Sequence, residues 1–313
     1  MPISKKAKTR RLKKTRGGKT VKITSSVTNR MNCNPSVIKS KVSSESCYTP
    51  DIIDKLKNAY NNNHPENIIS VKSHKQIINE LSKRLKCNKE DCWLNQLPES
   101  ERKYVDEKIF APDQPQSWKK NPTEWLSNHD IMDVLHQYEE TYPEFKFIGP
   151  TPIDFDTVLP NKNGKCVWEE LCNFNLSNTL QKGIKKVGII FNLDKHDESG
   201  SHWVSLFLDI SNRFIFYFDS AGNSTPPEIT TLVNRIQKDF YLLQNKNLRY
   251  HENYPHQHQM KNTECGMYSL YFIITMLTTN KSNIKSNIKI FKNGKITDEY
   301  VQQFRGKYFN TSS

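Results

Sequence analysis

No stretch of this 313-residue sequence is apolar for long enough to cross a bilayer. The most apolar run, Met267 to Leu277, stops well short of a membrane span and reads as a buried helix. The charged N-terminus has no apolar segment behind it, so neither a secretory leader nor a membrane role is expected. Internal repeats are absent. The first 44 residues hold no Asp, no Glu and no aromatic residue, and such a segment cannot build a core. The cysteines do not form a zinc pattern either: Cys87 and Cys92 have four residues between them, and a fourth ligand is missing nearby.

What is present is unevenly placed. Residues 1–44 carry thirteen Lys or Arg, and the remaining 33 basic residues match the chain's 33 acidic ones. The formal charge of +13 therefore belongs to the tail, and the body is neutral. The tail reads as an arm for DNA, RNA or another polyanion, as a nuclear-import address, or as a solubilising segment. It also holds the chain's only Gly-Gly pair, Gly17-Gly18. Seven cysteines, an odd number, point to free thiols in a reducing compartment.

The organisation expected is a disordered basic tail over 1–45, a small α-helical region over 46–112 and a larger domain over 113–313. Thr49-Pro50 reads as a helix start, with helices following over about 50–60, 73–86 and 98–109. Ala111-Pro112-Asp113-Gln114-Pro115 reads as a linker. Beyond it, a helix from about Trp125 to Tyr142 is expected, capped by Thr123 or Asn128. Strands follow at 187–193, 201–210, 213–219 and 247–251, with helices at 227–244 and 265–279.

Chemistry enters with Cys265, in Asn262-Thr263-Glu264-Cys265-Gly266 at the start of an apolar helix. Unpaired backbone N–H groups and the helix dipole at that position favour a thiolate. His202 opens one strand and Asp219 closes the next, with Ser211-Asn212 as the turn between them. Such a hairpin pairs residues whose numbers sum to about 423, which sets His202 opposite residue 221, beside Asp219. Asp209 lies roughly 23 Å away along the strand. Gln259, six residues before Cys265, could place an amide N–H beside an oxyanion, together with the Cys265 backbone N–H. His256, His258 and Cys265 together raise a weaker metal alternative.

The ordered set His202-Trp203, Asp219-Ser220, Gln259 and Cys265-Gly266 resembles the ubiquitin-like-protein proteases, the SUMO-processing enzymes and their viral relatives. Trp125-Leu126 resembles the Trp-Leu pair that opens their catalytic domain, and the likeness extends over roughly residues 47–280. Trp125-Leu126-Ser127-Asn128, Gln137-Tyr138-Glu139 and Pro152-Ile153-Asp154-Phe155 resemble giant-virus and African swine fever virus-type proteases most. The resemblance implies an α+β, permuted papain-like fold with a central mixed sheet and no cofactor. It further implies that His202, Asp219, Gln259 and Cys265 are catalytic, and that Trp125 and Trp203 flank a channel for a Gly-Gly dipeptide. A monomeric virion-maturation endopeptidase of the virion and infected-host cytoplasm, or the host nucleus, is the expected role. A deconjugase of ubiquitin-like modifiers and a non-enzymatic nucleic-acid-binding virion protein are the alternatives.

Overall fold

The computed structural model describes residues 31–40, 46–87, 89–160 and 164–311. Of the basic tail expected over 1–45, positions 1–30 and 41–45 lie outside the described residues, Gly17-Gly18 among them.

The remaining stretch of that tail is built into the molecule. Helix α1 (Pro35–Lys39) is capped by the Asn34 side chain, which accepts from the Ser36 N–H at 2.9 Å. Met31, Cys33 and Val37 share a core with α2 (Pro50–Asn63), α3 (His74–Leu85) and α4 (Glu99–Ile109). Thr49 caps α2 as its sequence position suggests, with Pro50 in the first turn. A short 3-10 helix at Asp91–Gln96 drives Trp93 into this core, where it meets Tyr48. The helical region thus begins before residue 46: composition alone gives no sign of it, because the three apolar residues are scattered among polar ones.

The presumed linker is also pinned. Ala111 donates its N–H to the Asn32 carbonyl at 2.9 Å, and Gln114 donates to the Asn310 carbonyl at 2.7 Å. The Asn310 amide reaches the carbonyls of Asn32 and Ala111, while the Asn32 N–H donates to Asn310 Oδ1 at 2.7 Å. Both ends of the described chain therefore meet over residues 110–114.

Helix α5 (Asn128–Thr141) begins later than its apolar pattern suggests, and neither Thr123 nor Asn128 is its cap. Ser127 and Asp130 form a capping box, leaving Trp125 and Leu126 ahead of the helix. Strand β1 (Phe145–Pro152) then opens a five-stranded sheet. Its two prolines and Gly149 hide it in the sequence. They are tolerated because β1 is an edge strand whose register shifts between Ile148 and Thr151. At that shift Gly149 has φ +110° and lies so close to the Ile190 carbonyl that a Cβ would stand 2.6 Å away.

Two short helices, α6 (Glu169–Cys172) and α7 (Leu176–Gln181), lead to β2 (Lys186–Asn192), β3 (Trp203–Asp209) and β4 (Phe214–Phe218). Helix α8 (Pro227–Gln244) precedes β5 (Arg249–Glu252), and α9 (Cys265–Thr278) follows it. The sheet runs β1-β2-β3-β4-β5, parallel at both outer pairs and antiparallel in the middle. Strand alternation sends Phe207, Phe214, Phe216 and Phe218 to one face, against α9. Leu206, Leu208, Ile215 and Tyr217 go to the other, against Ile229, Leu232 and Ile236 of α8. The apolar character of α9 on all sides follows from its burial: eleven of its residues are enclosed. Helices α10 (Ile284–Asn293), α11 (Asp298–Gln302) and α12 (Arg305–Tyr308) complete the α9 side. The architecture is α+β, as expected.

The cysteines depart from expectation. Six of the seven are paired, Cys33 with Cys47, Cys87 with Cys92 and Cys166 with Cys172, and Cys265 alone is a free thiol. An odd count admits this arrangement as readily as seven free thiols, since one cysteine is held apart on α9.

Candidate active site

The β3–β4 hairpin brings the first two groups together. Ser205 pairs with Phe218 and Leu206 with Tyr217, so partners sum to 423, as the turn position predicts. His202 precedes β3 and Asp219 follows β4 at the same end of the sheet. The imidazole Nε2 lies 2.7 Å from Asp219 Oδ1, and Cys265 is the other side-chain partner of His202. With Nε2 committed to the carboxylate, Nδ1 is the ring nitrogen left for the thiol.

Asp219 is fully enclosed and held on every side. Oδ1 also accepts the Ala221 N–H at 2.8 Å, and Oδ2 accepts the Asn223 side-chain amide at 3.0 Å. Asn253, just after β5, clamps its backbone: the Asp219 N–H donates to Asn253 Oδ1 at 2.9 Å, and Asn253 Nδ2 donates back to the Asp219 carbonyl at 2.6 Å. Burial alone would raise this carboxyl's pKa. The bond and charge of His202, with the Ala221 and Asn223 donors, prevail and hold it below the ordinary carboxylate range. For His202, burial opposes the imidazolium, but Asp219 and then Cys265 outweigh it and raise the pKa to about 10. The site therefore favours a charged imidazole next to the thiol.

Cys265 is the first residue of α9 and is buried. Gly266 behind it lets the Leu126 side chain come close: a Cβ there would stand 3.0 Å from the Leu126 Cβ. Leu126 in turn accepts the Trp203 indole N–H at 3.1 Å through its carbonyl. Trp203 is buried by this arrangement, whereas Trp125 is 43% exposed. Gln259 is oriented by Ser220, whose hydroxyl donates to Oε1 at 2.6 Å. One N–H of Nε2 reaches the Lys261 carbonyl, which leaves the second unassigned.

The two histidines that suggested a metal are engaged with backbone. His258 Nε2 lies 2.7 Å from the Phe291 carbonyl, its Nδ1 faces the Ile296 N–H, and His256 Nε2 faces the Gly294 carbonyl. No cluster of three or more His, Cys, Asp or Glu side chains suited to a metal occurs among the described residues.

These four groups all fall inside one family match. Residues 177–312 match the C-terminal catalytic domain of the Ulp1 protease family. By this match the segment is similar to a Ulp1-family catalytic domain. The likeness continues beyond it. A cysteine protease of African swine fever virus, strain Badajoz, is 26% identical over 268 residues, covering 78% of this chain and 91% of the viral protein. A protein of Acanthamoeba polyphaga mimivirus named as a thiol protease is 37% identical over 171 residues, 54% of each chain. This chain thus spans about half the length of that relative. The crystal structure of the African swine fever virus protease has the same fold, with a TM-score of 0.61 at 21% identity over 90% of this chain and 96% of that one.

Several groups that support this cluster escape a reading of the sequence alone. Asn223 and Asn253 look like ordinary loop polar residues, and only the parallel β4–β5 pairing carries Asn253 to Asp219. Ser220, next to Asp219, had a local signal in its position, but not one that named Gln259 as its partner.

Proposed function

We propose that the protein is a cysteine endopeptidase that cuts after Gly-Gly sequences and processes viral structural polyproteins during virion maturation. One observation carries the catalytic reading: His202 holds Asp219 at 2.7 Å with one ring nitrogen and has Cys265 as its other partner. In this reading the Cys265 thiolate attacks the carbonyl carbon of the second glycine, and the C=O electron pair moves onto oxygen. The oxyanion is held by the Cys265 backbone N–H and the second N–H of Gln259 Nε2. The C–N bond then breaks as the His202 Nδ1 proton passes to the leaving amine. Water next gives a proton to His202 and adds hydroxide to the thioester carbonyl, releasing the acid and restoring the thiolate. Asp219 orients the imidazole and stabilises its charge throughout.

Trp125 and Trp203, joined through Leu126, serve as walls of a channel that suits glycine because it leaves no room for side chains. Substrates are proteins with accessible Gly-Gly segments. The basic arm engages DNA, RNA or another polyanion, and the enzyme acts as a monomer in the virion and the infected-host cytoplasm. Among the described residues no helix is long and apolar enough to cross a membrane.

Other African swine fever virus relatives, also 26% identical over 268 residues, are named SUMO-1 cysteine proteases. This favours a second reading with the same chemistry, removal of a ubiquitin-like modifier. Both are tested with wild-type and Cys265→Ala protein on a Gly-Gly peptide library and on a ubiquitin-like protein carrying a C-terminal Gly-Gly electrophile. Peptide cleavage by the wild type alone supports the endopeptidase. Labelling by the electrophile with intact peptides supports the deconjugase, and neither result in either assay refutes the enzyme.

A further inference from the structure

Arg305 lies far from Cys265 in sequence, yet it is buried against Glu264, the residue that precedes Cys265. Its Nε donates to Glu264 Oε2 at 3.1 Å, and both side chains are almost fully enclosed, at 6% and 2% exposure. Its Nη2 donates to the Glu124 carbonyl at 2.7 Å. The guanidinium lies over the Trp118 ring, 4.3 Å from its centroid. Glu264 is the residue immediately before Cys265, and Glu124 is the residue immediately before Trp125. One planar group thus spans two loops that come from opposite ends of the catalytic half. The first leads into α9 and the nucleophile, the second into the Trp125-Leu126 segment ahead of α5.

Stability does not account for this placement. A buried ion pair contributes little beyond what apolar packing would supply in its place. In addition, Arg305 Nη1 is buried without a hydrogen-bond partner among the described residues. What the arrangement does supply is geometry. A guanidinium is a rigid fork whose donors point in fixed directions, so holding a carboxylate with one N–H and a carbonyl with another fixes the distance between them. That distance sets where the Cys265 sulfur lies relative to the Trp125 wall.

Resting on the protease reading above, we propose that Arg305 is a positioning residue that fixes the Cys265 loop and the Trp125 loop in one register. The same short segment reaches the N-terminal helical region five residues later, through Asn310 and its bonds to Asn32 and Ala111. Docking of that region therefore bears on the same register.

The test compares full-length wild type, Arg305→Lys and Arg305→Met. Three quantities are read for each: Tm, kcat and KM on a Gly-Gly peptide, and the pH profile of Cys265 alkylation by iodoacetamide. Lysine keeps a positive charge for Glu264 but cannot span to the Glu124 carbonyl. Arg305→Lys should therefore keep the Tm and the alkylation profile and raise KM about tenfold, since a misplaced substrate wall costs on this order. Arg305→Met loses both ties, and its kcat should also drop by about tenfold or more, with a displaced alkylation profile. Wild-type kinetics and alkylation in both variants would overturn the proposal. So would a loss in Arg305→Lys that lowers kcat in proportion to the unfolded fraction and leaves KM unmoved, because that is the signature of a structural role alone. A wild type that cleaves nothing refutes the protease reading instead, and the alkylation profiles then judge Arg305 by themselves.

Discussion

Replacing Asp219 by Asn isolates the charge of the site from its shape. Oδ1 of Asp219 serves His202 at 2.7 Å and the Ala221 N–H at 2.8 Å, and an asparagine carbonyl oxygen can serve both. The new NH2 group would then face the Asn223 side chain, which can turn to present its own oxygen, and would forgo only the longer 3.3 Å bond from the Asn223 backbone N–H. The geometry survives and the negative charge does not. His202 loses the group that does most to lift its pKa from 6.5 to about 10, an interval worth at most about 5 kcal/mol. At neutral pH the imidazolium beside Cys265 is no longer secured, so kcat/KM should fall by about 10²- to 10⁴-fold. The assay is the pH profile of kcat/KM for both proteins. In the wild type the alkaline limb should lie near the His202 pKa, and in Asp219→Asn it should move by about 2–3 pH units toward neutrality. Stability should follow with the same sign. Because the folded pKa lies above the unfolded one, the native state binds the extra proton. The His202 contribution is complete below pH 6.5 and is lost as pH rises through about 10. Wild-type Tm should thus decline across that window more steeply than the Asp219→Asn Tm. An alkaline limb that stays in place in the variant would refute the assignment of Asp219 as the group that sustains the imidazolium.

Three further outcomes are expected. Gln259→Ala should lower kcat about 10²-fold with KM little changed, as for loss of one oxyanion donor, and an unchanged kcat would remove Gln259 from the reaction. Unreduced protein, denatured and treated with iodoacetamide, should gain one label by intact mass, on Cys265. Seven labels would refute the three disulfides. Deleting residues 1–30, which hold eleven of the thirteen basic residues in 1–44, should spare peptide cleavage and weaken DNA binding. That binding should fall steeply with salt, and equal binding by both proteins would rule out the arm.

The contrast between the two halves of the site shows what a sequence can reveal. The β3–β4 hairpin is local, with a short turn and alternating apolar strands, so its register follows from counting, and with it the choice of Asp219 over Asp209. Helix α9 announces itself by its apolar run, and Cys265 by standing at its start. The groups that brace these residues come from elsewhere in the chain. Arg305 meets Glu264 across 41 positions and Glu124 across 181, and no periodicity encodes such a contact. Strand β1 was obscured by Gly149 and two prolines, which are breakers in a central strand and harmless on this edge. The ordered stretch 31–40 was obscured by its neighbours, since a basic tail dominates the composition of the window around it.

The bond between Asn32 and Asn310 has a consequence for the order in which His202, Asp219 and Cys265 appear. Residues 32 and 310 touch, so in a chain shortened to about these positions a short covalent bridge between them would disturb little, and the molecule could be opened at another exposed turn. The turn at Asn245–Asn247, between α8 and β5, is such a place. Reopened there, the polypeptide would run through Gln259 and Cys265 first and reach His202 and Asp219 last, with every strand of the sheet where it now lies. The succession His202, Asp219, Cys265 is thus one of several that the same sheet admits, and the spatial arrangement of the three side chains is indifferent to it.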